Sequence, residues 1–308
     1  MMTAANSVKL SEELKGEILY SVPLSQYTSF GVGGPVDFMV FPADLEDLQK
    51  TLRWCRQQKM AYFLLGNGTN LLVRDGGVRG MAISLSRGFG GISELERGEM
   101  DVLIHAGAGE SLGRLVEFSR EKSLAGMEWA TGIPGTVGGA LFMNAGAFRG
   151  EMKDDLQSLQ LMDPEGNVIE KGKEELNFSY RVLELKKGWI ILGGKFRLPI
   201  GNGQAIRSRM EEILQKRVAK QPLHLPSAGS IFRNPSRVAA GKLVEEVGLK
   251  GTRLRDAQIS EKHANFIVNL GKARARDILT LAEYAKEKVF DEKGVKLEME
   301  IQVIGEDE

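Results

Sequence analysis

Apolar residues recur at helical spacing in several stretches of the chain. The stretch DLEDLQKTLRWCRQQK (44–59), which begins with a capping Asp44, has an apolar face formed by Leu45, Leu48, Leu52 and Cys55. The same periodicity recurs in SLGRLVEFSREKS and in three stretches of the second half. The pattern therefore predicts helices over 44–59, 111–123, 205–220, 238–247 and 273–290.

Short apolar or alternating runs between turn residues indicate strands. GGISELERGEMDVLIHAGAG predicts a hairpin with strands near 91–96 and 101–106. LQSLQLMDPEGNVIEK predicts a second hairpin that turns on Asp163 to Asn167, and WIILGGKFRLP is a further hairpin-like stretch. SAGSIF, FIVNL and the closing KLEMEIQVIGE predict strands in the second half. Helices and strands mix without the strict βαβ rhythm of a doubly wound sheet, so we expect an α+β fold.

The Pro/Gly segment PIGNGQ (199–204) indicates a domain boundary, because the pattern changes there from hairpins to helices. We therefore predict an N-terminal extension over 1–20, one domain over 21–200 and a smaller α+β domain over 201–308. A chain of 308 residues is long enough for two domains.

Composition excludes several classes of protein. With 41 basic and 41 acidic residues the formal charge is zero, which argues against binding to nucleic acid or to an anionic membrane surface. One cysteine and three scattered histidines argue against a disulfide framework and a metal centre. MMTAANSVKLSEELKGE lacks a signal-peptide pattern, and no apolar run is long enough to span a membrane. We expect a cytoplasmic protein; its oligomeric state stays open, with a monomer the simpler expectation.

The 37 glycines are clustered rather than spread along the chain. The clusters are TSFGVGGP (28–35), LGNGTNLLV (65–73) and GIPGTVGGALFMNAGAF (132–148). Closely spaced glycines let backbone amides converge on phosphate oxygens without basic side chains, although each cluster alone could be a structural turn. None fits GxGxxG between a strand and a helix, or GxxxxGK[ST]. Three such clusters with neighbouring Ser, Thr and Asn residues predict a dinucleotide site of non-Rossmann type.

Six motifs then occur in one order: LGNGTNLLV followed by RDGGVRG, GIPGTVGGALFMNAGAF, FSYR, SAGSIFRNP, KHANFIVN and EMEIQVIGE. From about residue 20 to residue 305 the chain closely resembles the UDP-N-acetylenolpyruvoylglucosamine reductase family. The resemblance implies an FAD-binding domain of the vanillyl-alcohol-oxidase type followed by a smaller substrate-binding domain. It also implies non-covalent FAD, NADPH as hydride donor, and reduction of the enolpyruvyl ether of UDP-N-acetylglucosamine to UDP-N-acetylmuramate. The short connection from Tyr180 to Trp189 resembles the form without an extra substrate-covering loop.

Arg181, Ser230 and Glu300 match the family's catalytic positions. Hydride addition leaves carbanion character beside the substrate carboxylate, so an arginine at that carboxylate and a nearby proton donor are expected. The resemblance gives these roles to Arg181 and Ser230, and a supporting role to Glu300. From the residues alone, Arg181 could be a surface arginine and Ser230 a turn serine. Glu300 could be an outward glutamate, since Glu298 has the same alternation phase.

The resemblance also implies binding positions for the cofactor and the substrate. Its FAD positions are Gly33, Gly66, Asn67, Gly68, Thr69, Asn70, Gly132, Ile133, Pro134, Gly135, Thr136, Gly138, Gly139, Asn144, Ala145 and Gly146. Its substrate positions are Lys220, Asn234, Gln258 and His263, of which Lys220 and Asn234 would meet the diphosphate. Lys220 could equally be a solvated lysine at a helix end, and His263 could cap a turn.

Two positions depart from the family pattern, and two other readings stay open. The family often has arginine where this chain has Gln302, and serine where it has Leu183. A different flavoprotein of the same fold, acting on an alcohol or sugar, could tether FAD through Cys55 or His105. A nucleotide-binding module without catalysis would need no proton donor, so Arg181, Ser230 and Glu300 together argue against it.

Overall fold

The computed structural model describes residues 13–235 and 238–307. The predicted extension over 1–20 therefore lies mostly outside the described residues. The chain packs as two compact units built from discontinuous segments. Unit 1 comprises the described residues up to Tyr20, Phe38–Gly66 and Gly80–Gln215; unit 2 comprises Ser21–Asp37, Asn67–Arg79 and the described residues from Lys216 onward. This packing differs from the contiguous division expected above.

The helices follow the apolar periodicity of the sequence. They are α1 Leu45–Gln57, α2 Leu112–Glu121, α3 Val137–Phe142, α4 Gly203–Lys220, α5 Ala240–Glu246 and α6 Ala275–Lys293, with 3₁₀ turns at Leu24–Gln26, Glu128–Ala130 and Lys173–Glu175. The expected cap of α1 is present, because the Asp44 side chain accepts the Asp47 N–H. Ser111 caps α2 in the same way. All five predicted helices are confirmed, and α3 is additional.

The strands are short and mostly antiparallel. They are β1 Glu17–Pro23, β2 Pro35–Phe41, β3 Tyr62–Leu64, β4 Leu71–Val73, β5 Val78–Ile83, β6 Ile92–Arg97, β7 Asp101–Gly107, β8 Gly146–Ala147, β9 Gly150–Glu151, β10 Leu156–Met162, β11 Val168–Gly172, β12 Asn177–Ser179, β13 Val182–Glu184, β14 Ile190–Pro199, β15 Arg253–Leu254, β16 Ala257–Ile259, β17 Ile267–Asn269 and β18 Gln302–Ile304. One four-stranded sheet has the order β1-β2-β5-β3, in which β3 and β5 run parallel.

Unit 1 is centred on an antiparallel sheet of order β11-β10-β14-β7-β6. Both predicted hairpins, β6–β7 and β10–β11, are confirmed within it. The hairpin predicted from WIILGGKFRLP is wrong, because that stretch is the single strand β14. The core of unit 1 is formed by this sheet and by α2. It includes the fully buried residues Leu159, Phe196, Ile104, Leu112 and Leu115.

Unit 2 has its own core around α6 and the antiparallel meander β15-β16-β17. Its buried residues include Phe30, Leu72, Phe232 and Ile278. β18 pairs in parallel with β4, so the end of the chain completes a structure begun near residue 71. The strand predicted in SAGSIF is wrong, because only one bridge forms there, between Phe232 and Met299. Across the described ranges, no helix is both long and apolar enough to cross a membrane.

Candidate active site

Two of the predicted cofactor loops approach each other within unit 1, at Gly66 and Thr136. A side chain at Gly66 would place its Cβ 2.8 Å from Thr136 Oγ1, so only glycine leaves this approach open. Thr136 is buried, and its side chain caps α3 by accepting the Gly139 N–H at 3.1 Å. The local structure thus fixes one loop against the other.

Both loops present unused backbone donors. The N–H groups of Gly66, Asn67 and Gly68 donate to no described residue, and neither do those of Gly132, Gly135 and Thr136. Gly132 and Gly135 have positive φ values of 73° and 132°. Free N–H groups on glycine-rich turns are the donors that phosphate oxygens require in a protein without net charge. Within unit 1, the free amides of Gly66, Gly132, Gly135 and Thr136 therefore fit the diphosphate of FAD.

Other predicted cofactor positions have a packing role that the geometry explains. Gly68 packs on Tyr27, where a Cβ would lie 2.1 Å from the Tyr27 carbonyl oxygen. A Cβ at Gly33 would lie 2.7 Å from Val73 Cβ, and one at Gly138 would lie 2.8 Å from Ala108 Cβ. Asn70 donates from Nδ2 to the Glu300 carbonyl at 3.1 Å, which connects this loop to a catalytic candidate inside unit 2.

Asn144 lies beside Ala145 and Gly146, and its amide is fully engaged by the protein. Its Nδ2 donates to Glu151 Oε2 and to the Ser179 carbonyl, both at 3.0 Å, while its Oδ1 accepts the Lys153 N–H at 3.2 Å. The residue is completely buried and has a φ of 39°. Asn144 thereby fixes the turn that leads into β8.

Arg181 occupies the turn between β12 and β13 with a φ of 59°. A positive φ at an arginine is costly, and such strain often accompanies a functional position. Its Nη2 donates to the Gly146 carbonyl at 2.5 Å, and its guanidinium lies 4.9 Å from the centre of the Tyr180 ring. A Cβ at Gly146 would lie 3.0 Å from Arg181 Nη1, so the third glycine cluster makes room for this side chain. Arg181 is held beside predicted cofactor residues in unit 1.

Ser230 follows Gly229, whose φ is 74°. The residues after it, Ile231 and Phe232, are held by hydrogen bonds with Asn265, which is 3% exposed. We call this set of hydrogen bonds the Asn265 clamp. Asn265 Oδ1 accepts the Phe232 N–H at 3.0 Å, and its Nδ2 donates to the Phe232 carbonyl at 2.8 Å. The Ile231 N–H also donates to the Asn265 carbonyl at 2.8 Å. Ser230 is thus a partly exposed hydroxyl on a fixed piece of backbone.

Glu300 is brought to the same place in unit 2. Its N–H donates to the Ile231 carbonyl at 2.7 Å, so the residue after Ser230 and Glu300 are backbone neighbours. The Arg233 N–H donates to the Glu298 carbonyl at 2.9 Å, which continues this pairing. Ser230 and Glu300, 70 positions apart in the sequence, belong to one local structure.

The four predicted substrate positions also lie in unit 2. Lys220 is exposed at the last residue of α4. The Asn234 Oδ1 accepts the Ala240 N–H at 3.0 Å, and Gln258 Nε2 donates to the Gly251 carbonyl at 3.2 Å. His263 Nδ1 accepts the Asn265 N–H at 3.2 Å, and burial lowers the pKa of its imidazole. His263 therefore supports the Asn265 clamp as a neutral ring.

Sequence reasoning missed Arg217 and Gln221. Arg217 is only 8% exposed, its Nε has no described partner, and burial lowers the pKa of its guanidinium. Gln221 Oε1 is likewise buried without a partner in the described chain. The Gln221 N–H donates to the Arg217 carbonyl, so the two residues are helical neighbours. Arg217 continues the apolar stripe of Ile206, Met210 and Ile213, but periodicity reads an arginine there as polar, so the sequence alone does not single it out.

The two departures have different structural settings. Leu183 is 2% exposed in the core of unit 1, so it contributes packing where a serine would not. Gln302 is exposed at the first residue of β18, and its N–H donates to the Asn70 carbonyl at 2.9 Å. This hydrogen bond to the Asn70 loop uses the main chain of Gln302, so it does not depend on which side chain occupies position 302.

The two candidates for a covalent flavin link are poorly suited to one. Cys55 is buried in α1, and burial raises the pKa of its thiol to about 12. His105 lies on β7 over Gly193, where a Cβ would be 2.6 Å from its Nε2, so its imidazole packs against the neighbouring strand β14. Burial lowers the pKa of its imidazole, with a smaller contribution from Lys195.

Comparisons with known proteins agree with this geometry. Residues 35–172 match a family of FAD binding domains, and residues 221–304 match the C-terminal domain of UDP-N-acetylenolpyruvoylglucosamine reductase. A VAO-type flavoprotein from Myceliophthora thermophila covers 97% of this chain and 63% of its own with a TM-score of 0.51 at 11% identity, a likeness of fold alone. The chain is therefore an FAD-binding protein of the vanillyl-alcohol-oxidase fold, as predicted.

The relatives define the family more narrowly. UDP-N-acetylenolpyruvoylglucosamine reductase of Syntrophus aciditrophicus is 45% identical over 302 residues, which are 97% of this chain and 96% of the relative. The enzyme of Clostridioides difficile is 44% identical over 95% of both chains. The crystal structure of the Thermus caldophilus enzyme has a TM-score of 0.79 at 37% identity and covers 94% of this chain and 99% of its own. The chain belongs to the UDP-N-acetylenolpyruvoylglucosamine reductase family.

Proposed function

We propose that this protein uses NADPH to reduce the enolpyruvyl ether of UDP-N-acetylglucosamine to UDP-N-acetylmuramate, a peptidoglycan precursor, in the cytoplasm. The observation that carries the proposal is the backbone pairing of the Ser230 segment with Glu300, in a chain that belongs to this family. FAD, when bound, accepts hydride from NADPH and donates it to the substrate. The residues that would hold its diphosphate are the free amides of Gly66 and of Gly132, Gly135 and Thr136.

In this proposal, Arg181 binds the carboxylate of the substrate. A planar guanidinium can make two charge-assisted hydrogen bonds to a carboxylate, and it stabilises negative charge that develops at the adjacent carbon. The strained turn and the Gly146 contact support this role, because both hold the guanidinium in one orientation. Lysine would keep the charge but not the geometry.

In this proposal, the Ser230 hydroxyl donates the proton that neutralises the carbanion. A hydroxyl is a weak acid, but an enol-like carbanion is basic enough to accept its proton at hydrogen-bond distance. The Asn265 clamp supports this role by fixing the chain after Ser230. Glu300, the backbone neighbour of Ile231, would orient the donor or the developing enol.

Substrate binding is assigned to Lys220, Asn234, Gln258 and His263, and we add Arg217 and Gln221. The two added residues offer a buried donor and a buried acceptor without described partners, which suits a polar edge of the nucleotide-sugar. The covalent flavin link of the alternative reading has little support, because the Cys55 thiol is buried.

The decisive experiment follows the flavin absorbance of the purified holoprotein under anaerobic conditions. NADPH should bleach the flavin, and the enolpyruvyl nucleotide-sugar should then restore its absorbance. Reduction without reoxidation by that substrate would contradict the proposed function. Reoxidation by an alcohol-derived or sugar-derived acceptor instead would favour the alternative flavoprotein.

Ser230→Ala tests the proton donor. We expect flavin reduction by NADPH to stay within about twofold and reoxidation by the nucleotide-sugar to slow by about 10²–10⁴-fold, the usual contribution of a general acid. Ser227→Ala, three residues earlier in the same segment and also partly exposed, is the matched control and should change neither half-reaction. Equal losses in both half-reactions of Ser230→Ala would mean that Ser230 is structural.

A further inference from the structure

Arg233 has a side chain that the described part of the chain leaves without a partner. Its Nε is buried and accepted by no atom, and no described carboxylate pairs with its guanidinium. Glu298 receives the Arg233 backbone N–H at 2.9 Å, but the two side chains form no ion pair. The unpaired cation therefore lies three residues after Ser230, in the segment held by Asn265.

The Nε–H of Arg233 is a buried donor without a partner in the described chain, although the residue as a whole is partly exposed. A group removed from water without a hydrogen-bond partner loses free energy, and the loss is larger when the group is charged. An apolar side chain of similar length at position 233 would avoid that cost. A donor that lowers the stability of the protein without forming a hydrogen bond in it is expected where a bound ligand supplies the acceptor.

An oxyanion is the partner that fits. A guanidinium presents several N–H donors in a planar fork that matches phosphate or carboxylate oxygens. Asn234, the next residue, is assigned to the diphosphate, whereas the carboxylate is assigned to Arg181. Lys220 is the other cation assigned to the diphosphate, so Arg233 would complete a charge match of two cations to two phosphate groups.

We propose that Arg233 binds the diphosphate of the nucleotide-sugar and is a determinant of its affinity. The inference rests on the proposed function, because that function supplies a diphosphate ligand. It assigns Arg233 to binding rather than to the reacting carbon.

The test uses UDP, which carries the diphosphate but no carboxylate, as a calorimetric probe of the full-length FAD-loaded protein. Arg233→Met should lower the affinity for UDP by about 10- to 100-fold, the range for a lost hydrogen bond to a charged group. The KM for the nucleotide-sugar should rise by a similar factor, with kcat and flavin reduction by NADPH within about twofold. Arg233→Lys should fall between Arg233→Met and the wild type, because it keeps the charge without the fork.

Thermal unfolding separates binding from folding. Without UDP, Arg233→Met should melt at the same temperature as the wild type or higher, whereas the rise in melting temperature on adding UDP should shrink. Arg276→Met, an exposed change on α6, is the matched control and should alter neither value.

Two results would overturn the inference. One is an unchanged UDP affinity and KM in Arg233→Met while the wild type turns over the nucleotide-sugar. The other is a large fall in kcat with unchanged UDP affinity, which would assign Arg233 to the reacting end. Failure of the wild type to be reoxidised by the nucleotide-sugar would instead contradict the proposed function itself.

Discussion

At the scale of single residues, Asn144 shows how a motif position can stabilise the fold. The family pattern assigns it to the cofactor, yet its amide donates twice and accepts once within unit 1. A buried side chain with all its hydrogen bonds satisfied stabilises the fold whether or not a ligand is bound.

Asn144→Asp should therefore destabilise the protein before FAD binds. The change removes both donors and adds a buried carboxylate next to Glu151, which should lower the free energy of unfolding by about 2–4 kcal/mol. Urea unfolding of the FAD-free protein measures this. A variant with normal FAD-free stability but weak flavin binding would show that Asn144 acts on the cofactor.

Some candidate residues can be recognised from sequence motifs, whereas others are recognised only from their burial in the structure. Ser230 and Glu300 could be proposed as catalytic from the sequence because they stand in motifs with a recognisable order. Arg217 could not, because periodicity treats arginine as polar, and only packing reveals that the helix buries it. Arg233 likewise looks ordinary until its unpartnered Nε is seen.

At the scale of elements, the capped helices were predictable and the short strands were not. Asp44 and Ser111 are local signals that fix where α1 and α2 begin. In β14, Gly193 and Gly194 resemble a turn in sequence, but Gly193 lies under His105, where a Cβ would be 2.6 Å from Nε2. The Ser230 segment reads as a strand, but within the described chain it forms only one bridge, and the Asn265 side chain binds both main-chain polar groups of Phe232.

The approach of Gly66 to the N-terminus of α3 gives a prediction at this scale. Gly66→Ala would place a methyl group 2.8 Å from Thr136 Oγ1, so it should disturb the cap and weaken FAD binding by at least about tenfold. Flavin retention on gel filtration and fluorescence titration with FAD measure the loss.

Gly113→Ala in α2 is the matched control for that variant. A Cβ there meets only Ser111 Oγ, at 3.7 Å, so FAD binding should not change. The protein should gain about 0.5–1 kcal/mol of stability, because alanine favours a helix interior more than glycine does. Equal FAD affinity in the two variants would contradict a role for the Gly66 approach.

At the scale of the whole molecule, Asp155 makes stability depend on pH. Burial raises the pKa of its carboxyl to about 6, and the charges of Asp154 and Glu128 add to the effect. Since the folded pKa lies above the unfolded value near 4, the protonated form favours folding. Its stabilisation is complete below about pH 4 and is lost as the pH rises through 6.

Asp155→Asn should therefore stabilise the protein at pH 7.5 and not at pH 4. Because the carboxyl is partly exposed, we expect a gain of only about 1 kcal/mol, well below the value that the shift alone would give. Denaturant unfolding at the two pH values measures this. Asp291→Asn, an exposed change on α6, is the control, and an equal gain at both pH values would contradict the assignment.

The pairing of β4 with β18 has a consequence for how the protein is made. Asn70 and Glu300, which are joined by a hydrogen bond, are 230 positions apart, so this contact cannot form during synthesis until nearly the whole chain has left the ribosome. Contacts so distant in sequence are slow to form, and they leave apolar segments such as Phe30 and Val32 waiting for partners. A nascent chain of which residues up to about 215 have emerged from the ribosome would therefore hold a foldable unit 1 and a unit 2 that still lacks most of its core.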